Sequence, residues 1–418
     1  MKSLKTYADA ITFNTRKFVK WILIGSVTGI IVGAVASAFA HCLQFAAGFR
    51  EANPNILFLL PVGGVMIVLF YRIFRYENNK GTDDVIDNIH KDVNLPLKMS
   101  FLIFISTVIT IFFGGSVGRE GAALQIGGSL GSQIGRWLKF NKEDKKIILM
   151  SGMAAAFSAL FGTPIAAVFF PMEVASVGIM YYAALVPCIC ASLVAHIMAK
   201  RFHVEEEQFP MIANQGLELE MGIKILLLAI CCAVLSILFC KALKTAKKFC
   251  KKYLKNAYIR AIVGGIAVIL MTLLIGSRDY LGTGMDVIIK ALNGKAVWYA
   301  FFAKMLFTVV TITAGYKGGE IVPSFFIGAT FGCIFGKLAG LPPEFTASLG
   351  MVGVFCGVTN CPIASLLIGF ELFGYHNPYY ILVMIAVSYM LSGKYSLYHT
   401  QIITNSKVEY KSIYQELE

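Results

Sequence analysis

Two glutamates stand in stretches otherwise too apolar to hold a charge. Glu120 follows Arg119 in GGSVGREGAALQIGG, and Glu320 sits in TAGYKGGEIVPSFF. An ionisable side chain at membrane depth is costly and usually functional, and a carboxylate there can take up and release protons. The glycines around each allow the chain to turn and to aim backbone amides inward. A helix starting near Gly121 would direct its free N–H groups and positive dipole end at whatever sits before it. That arrangement suits an anion. In the second stretch, Pro323 fits the first turn of a helix, and Gly81-Thr82 offers a hydroxyl cap to the segment VIDNIH, beside which Asp83 and Asp84 are expected to face water. A structural Arg119–Glu120 salt bridge is the competing reading. Gly127, Gly131 and Gly135, and likewise Gly328, Gly332 and Gly336, recur every fourth residue and read as helix-packing stripes.

The elements that position these residues are membrane helices. The 418-residue chain is 57% hydrophobic and only 15% charged, with mean hydropathy +0.70, whereas soluble domains carry about 25% charged residues. Apolar runs at Trp21 to Phe39, Ile56 to Phe70, Ile223 to Phe239, Ile259 to Ile275 and Tyr380 to Leu391 can enter or span the bilayer. The alternating segments of a membrane β-barrel are missing, so the expected class is all-α and polytopic. The net charge of +13 does not point to nucleic acid, because the basic residues lie between apolar runs. Lys2, Lys5, Arg16, Lys17 and Lys20 precede the first span, and a block from Lys241 to Arg260 contains no acid. The positive-inside rule puts both in the cytoplasm. The lead-in lacks the short apolar core and cleavage site of a signal peptide. Ten cysteines without C-x-x-C pairs and six scattered histidines give no metal or cofactor site.

An internal repeat divides the chain. GMAAAFSALFGTPIAAVFFPME from Gly152 matches GMVGVFCGVTNCPIASLLIGFE from Gly350, aligning Phe157, Pro164 and Glu173 with Phe355, Pro362 and Glu371. GREGAALQIGGSLG from Gly118 matches GEIVPSFFIGATFG from Gly319, and GTDDVI from Gly81 matches GTGMDVI from Gly282. Three landmarks in one order give a cytoplasmic segment 1–20, a first repeat 21–203, a linker 204–217, a second repeat 218–403 and a tail 404–418. Duplicated halves, often inverted, and helices broken at membrane depth characterise secondary transporters. Glu173 and Glu371 read as helix-terminal structural carboxylates. Phe325 and Phe326 are candidates to edge an ion path or to pack the core, and Thr359 and Asn360 to line a polar pocket.

As a set, these motifs resemble the CLC chloride channel and transporter family. GSVGREGAALQIGG is similar to the signature carrying the gating glutamate, KGGEIVPSFFIGATFG to the Gly-Gly-x-Phe-x-Pro segment, and GKYSLYHTQI to the stretch with the central tyrosine. The resemblance covers residues 20–403. It implies two repeated, inverted halves whose broken helices meet at a central anion path, and a homodimer with one path per subunit. It implies that Glu120 is the external gate that competes with the anion and takes protons. Thr82, Tyr398 and the backbone at Gly118, Arg119, Gly121, Ile321 and Val322 would bind the anion. Tyr395 is three residues too early for the central tyrosine.

Four departures refine the expectation. Ala122 replaces the usual proline, Ile321 replaces the usual phenylalanine, and Asp83-Asp84 follow Thr82 where the family typically has Gly-Ile-Pro. Val174 stands where chloride antiporters carry an inner proton-relay glutamate, while Glu320 supplies a carboxylate in the second signature. This combination resembles the bacterial fluoride/proton antiporter branch, in which F⁻ leaves the cytoplasm as H⁺ enters across the plasma membrane. A chloride channel or Cl⁻/H⁺ exchanger of the same fold is the alternative. A membrane enzyme finds no nucleophile–base pair to support it.

Overall fold

The computed structural model describes residues 2–91, 95–205, 207, 209–404 and 407, with side chains from Asn14 onward. The side chains of Lys2 and Lys5, and the expected tail apart from Thr404 and Lys407, lie outside the described residues. Among the described residues the chain forms sixteen α-helices. In the first half these are α1 (Lys2–Ala52), α2 (Leu60–Ile73), α3 (Thr82–Lys91), α4 (Leu97–Phe112), α5 (Glu120–Trp137), α6 (Lys142–Phe161), α7 (Pro164–Val174) and α8 (Leu185–Arg201). The second half contributes α9 (Leu219–Tyr253), α10 (Ala257–Ile275), α11 (Met285–Leu292), α12 (Ala300–Thr313), α13 (Ile321–Ala339), α14 (Pro343–Thr359), α15 (Pro362–Phe373) and α16 (Pro378–Leu391). Six helical segments among the described residues are long and apolar enough to cross a membrane, and several shorter apolar helices accompany them. The only strands among the described residues, β1 (Ser176–Val177) and β2 (Ile402–Ile403), pair in parallel and tie the C-terminal segment beneath the end of α7.

Helix boundaries follow local chemistry. Asn141 and Asn256 cap α6 and α10 by accepting backbone N–H bonds from Asp144 and Tyr258. Helix α6 stops at Gly162 and α14 at Asn360, equivalent positions that both adopt the left-handed conformation, with φ 73° and 59°. Asn is one of the few side chains that tolerates it. The glycine stripes pack backbone against backbone. A Cβ on Gly127 would lie 2.2 Å from the Gly152 carbonyl oxygen, and one on Gly328 the same distance from that of Gly350. Thus α5 seats on α6 as α13 seats on α14.

The halves exchange contacts reciprocally, as elements related by a twofold axis must. Ser116 N–H donates to Thr311 Oγ1 and Lys317 N–H to Thr110 Oγ1, both at 3.2 Å. Glu173 accepts the Ile363 and Ala364 N–H groups at the start of α15 (3.0 and 3.0 Å). Glu371 accepts those of Ile165 and Ala166 at the start of α7 (2.8 and 2.7 Å). Each carboxylate meets the orphan donors and positive dipole end of the other half's helix. Both are structural caps, as the sequence suggested.

Candidate functional site

The two broken-helix loops meet at the centre of the molecule. Gly118 and Gly319 form an antiparallel bridge, each N–H donating to the other's carbonyl at 2.7 and 2.8 Å. The chains touch so closely that a Cβ on Gly121 would lie 2.7 Å from Gly319 Cα. From this crossing α5 leaves at Glu120 and α13 at Ile321, so the unpaired first-turn N–H groups of both helices are gathered around it. Backbone at Gly118, Arg119, Gly121, Ile321 and Val322 therefore converges as the motifs suggested.

Glu120 is fully buried at the head of α5. One carboxylate oxygen accepts the Arg119 backbone N–H at 3.2 Å. The other lies 3.4 Å from Arg119 Nε, outside hydrogen-bond geometry, and has no hydrogen-bond partner. The guanidinium also reaches Glu207, on the segment joining the halves, with Nη2–Oε1 at 3.4 Å. Arg119 is thus shared between the buried glutamate and a half-buried outer one, a looser arrangement than a closed structural salt bridge. The joining segment is more than a polar link, since Phe209 packs against Phe161 and Phe373.

Glu320 occupies the residue before α13, and its Oε2 would lie 3.7 Å from a Cβ on Gly121. No ion pair reaches it among the described residues. Lys317 instead places its ammonium over the Tyr71 ring at 4.4 Å, and Arg119 is engaged elsewhere. Tyr398 is buried with its hydroxyl unpartnered, under the influence of Glu320 and Asp83. Tyr395 is only half-buried and lies under Lys241, 5.0 Å from its ring centroid.

Thr82 does not cap α3. Its hydroxyl donates to the Gly121 carbonyl at 3.4 Å and accepts from Gln125 Nε2 at 3.3 Å, which turns it toward α5. Asp84, in the first turn, reaches back to the chain before the helix and accepts the Lys80 N–H at 2.9 Å. Asp83 does not face water: it is 8% exposed and bonded to the turn after Tyr398. Phe325 and Phe326 are fully buried. Phe325 stacks on Phe161 and tilts onto Phe355, whereas Phe326 lies beneath the ammonium of Lys304. Thr359 and Asn360 form a polar pocket that the C-terminal segment fills. Gln401 bonds both residues, and Lys407 Nζ donates to Asn360 Oδ1 at 2.5 Å. Val174, fully buried, offers only its carbonyl, to Gln401.

Three residues at the site escaped sequence reasoning. Glu207 looked like linker and Gln125 like an ordinary helical residue. Lys304 is completely buried, donating to the Tyr280 and Gly282 carbonyls at 3.2 and 2.8 Å. Gly282 in turn exchanges backbone bonds with Gly115 and Val117 of the Glu120 loop. A lone lysine inside AFFAKMLF was the available signal.

A membrane-embedded helical bundle organised about two crossed helix breaks defines an ion-transport architecture. The profile of the voltage gated chloride channel family matches residues 62–393, and the chain belongs to that family. It is 32% identical over 395 residues to a chloride/fluoride channel protein of Pseudomonas syringae pv. tomato, covering 93% of this chain and 87% of the relative. A H(+)/Cl(-) exchange transporter ClcA of Vibrio vulnificus is 24% identical, with 88% and 84% covered. Among solved structures, a CLC-type fluoride/proton antiporter superposes with a TM-score of 0.89 at 30% identity, covering 92% of this chain and 98% of that one. A slow cyanobacterial Cl-/H+ antiporter shares the fold, with a TM-score of 0.76 at 17% identity over 89% and 94% of the chains. The chain is a multi-pass helical membrane protein of the CLC type.

Proposed function

We propose that this protein is a fluoride/proton antiporter that exports F⁻ from the cytoplasm in exchange for H⁺. The observation that carries the reading is the juxtaposition of two carboxylates at the crossing of the broken helices, Glu120 fully buried and Glu320 without an ion pair among the described residues. An anion channel gains nothing from a carboxylate beside its path, which repels the ion. A protonated carboxyl, however, donates a hydrogen bond, and fluoride is the halide that accepts one most strongly. In this reading Glu120 takes up a proton from outside and yields its place to the anion. Thr82, Tyr398 and the helix-start amides from Arg119 to Gly121 and at Ile321 and Val322 replace the water that the anion sheds.

Val174 fits the same scheme, because proton transfer then requires no inner carboxylate. The solved fluoride/proton antiporter at 30% identity supports the choice within the family. The reciprocal contacts favour halves at 21–203 and 218–403, and the basic segments favour a cytoplasmic N-terminus in the plasma membrane. A homodimer follows from the family resemblance. Purified protein in liposomes, assayed for fluoride and chloride efflux side by side, tests the reading. Fluoride is expected to leave much faster than chloride. Comparable rates would assign the chain to chloride transport, and chloride without proton movement to a channel.

A further inference from the structure

Asp83 is a buried carboxylate that the gating scheme does not use. It is the second residue of α3, and its Oδ1 accepts the His399 N–H at 2.7 Å and that of Thr400 at 3.4 Å. The Thr400 hydroxyl completes the clasp, donating to the Asp83 backbone carbonyl at 3.0 Å with a longer approach to Oδ1 at 3.4 Å. No cation pairs with Asp83 among the described residues, so its charge is met by neutral donors alone. A carboxylate placed so is held by geometry, and losing it leaves the part-buried His399 N–H without its acceptor.

The bonds fall on one side of a functional residue. Tyr398 immediately precedes these donors, and its hydroxyl has no partner of its own among the described residues. Its phenol is therefore aimed by the backbone turn around it, which is also pinned by the Tyr398 N–H donating to Ser396 Oγ at 3.1 Å. Asp83 fastens that turn to α3, whose first residue is Thr82. The two hydroxyls on either side of the anion path, 316 residues apart in sequence, thus share one tether.

We propose that Asp83 is a positioning residue that fixes Tyr398 relative to Thr82 and thereby sets fluoride affinity and halide preference. The inference rests on the anion-binding reading of those two hydroxyls. Its test uses the full chain in liposomes, measuring half-saturating fluoride, maximal rate and the fluoride-to-chloride rate ratio. The variants are Asp83→Ala, Asp83→Asn, Thr400→Val, Tyr398→Phe and the Asp83→Ala/Tyr398→Phe double. Asp83→Ala should raise half-saturating fluoride about tenfold and lower the halide ratio, the scale of one well-placed buried hydrogen bond. Asp83→Asn, which keeps an acceptor, and Thr400→Val, which removes one donor, should move both quantities the same way by about threefold. The double variant should be little worse than Tyr398→Phe, since the clasp acts through that phenol. A fall in maximal rate with affinity and ratio unchanged would reduce Asp83 to a structural staple and overturn the proposal. So would full additivity, or an Asn variant as damaged as Ala, which would implicate charge. A wild type that moves no halide would overturn the anion reading itself, whatever the variants do.

Discussion

The loops at residues 114–121 and 315–321 are built on one plan and carry different charges. Each follows a helix whose threonine, Thr110 or Thr311, receives a backbone N–H from the other loop, and each passes through the Gly118–Gly319 bridge before opening a helix. Repeat alignment sets Arg119 against Glu320 and Glu120 against Ile321. The first loop therefore puts its carboxylate on the first helical residue with an arginine behind it. The second puts its carboxylate one residue earlier, without an arginine, and fills the position matching Glu120 with an apolar side chain, Ile321. Support differs too. The turn preceding α11 is held by the buried Lys304, where alignment gives Ile103 in the first half. Backbone symmetry brings the helix starts together, and side-chain asymmetry gives them different charges.

The harshest test of that division is Glu120→Gln, which keeps shape and removes titration. Coupled proton movement should vanish while the protein stays folded by size-exclusion and circular dichroism. Misfolding would instead return the pair to a structural salt bridge, and normal coupling would dismiss Glu120 as the gate. Next, Glu320→Ala should slow fluoride transport about tenfold to a hundredfold or uncouple it, as expected for a positioned proton-transfer group. Wild-type fluoride flux in this variant would make the second loop purely structural. Tyr398→Ala should weaken fluoride handling by ~1–3 kcal/mol, the value of a hydrogen bond to a charged ion, and Tyr395→Ala by much less. Equal effects in matched flux assays would place the anion elsewhere. Smallest is Glu207→Gln, worth about twofold because partly exposed ion pairs contribute under ~1 kcal/mol. Leaving Arg119 to Glu120 alone favours the charged gate, so the half-maximal outside pH for transport should move acid. An alkaline shift would contradict the shared-arginine geometry.

Local patterns made much of this legible. The repeat landmarks matched Gly118 with Gly319 as equivalent positions, though not as bridge partners, the glycine stripes predicted tight helix pairs, and the apolar runs predicted the bundle. Glu173 and Glu371 were recognisable as matched helix-end carboxylates, although not that each caps the other half. What stayed hidden depends on partners far along the chain. Asp83 was expected in water because a polar pair beside a helix start usually is, yet the N–H donors it accepts from begin 316 residues later. Thr82 looked like a cap for the same local reason. Thr359 and Asn360 did form a polar pocket, but only folding revealed that Gln401 and Lys407 fill it. Glu207 could not be distinguished from its neighbours Glu205 and Glu206 by sequence.

Exchange of fluoride for protons at the crossing of the two loops can be followed in one recording. Liposomes containing the purified protein are loaded with fluoride and diluted into weakly buffered, fluoride-free medium, with electrode and pH traces taken together. Fluoride should leave while protons enter in fixed proportion, with the medium turning alkaline, and Glu120→Gln should abolish the pH trace. Fluoride efflux in the wild type with no accompanying proton uptake would contradict that exchange.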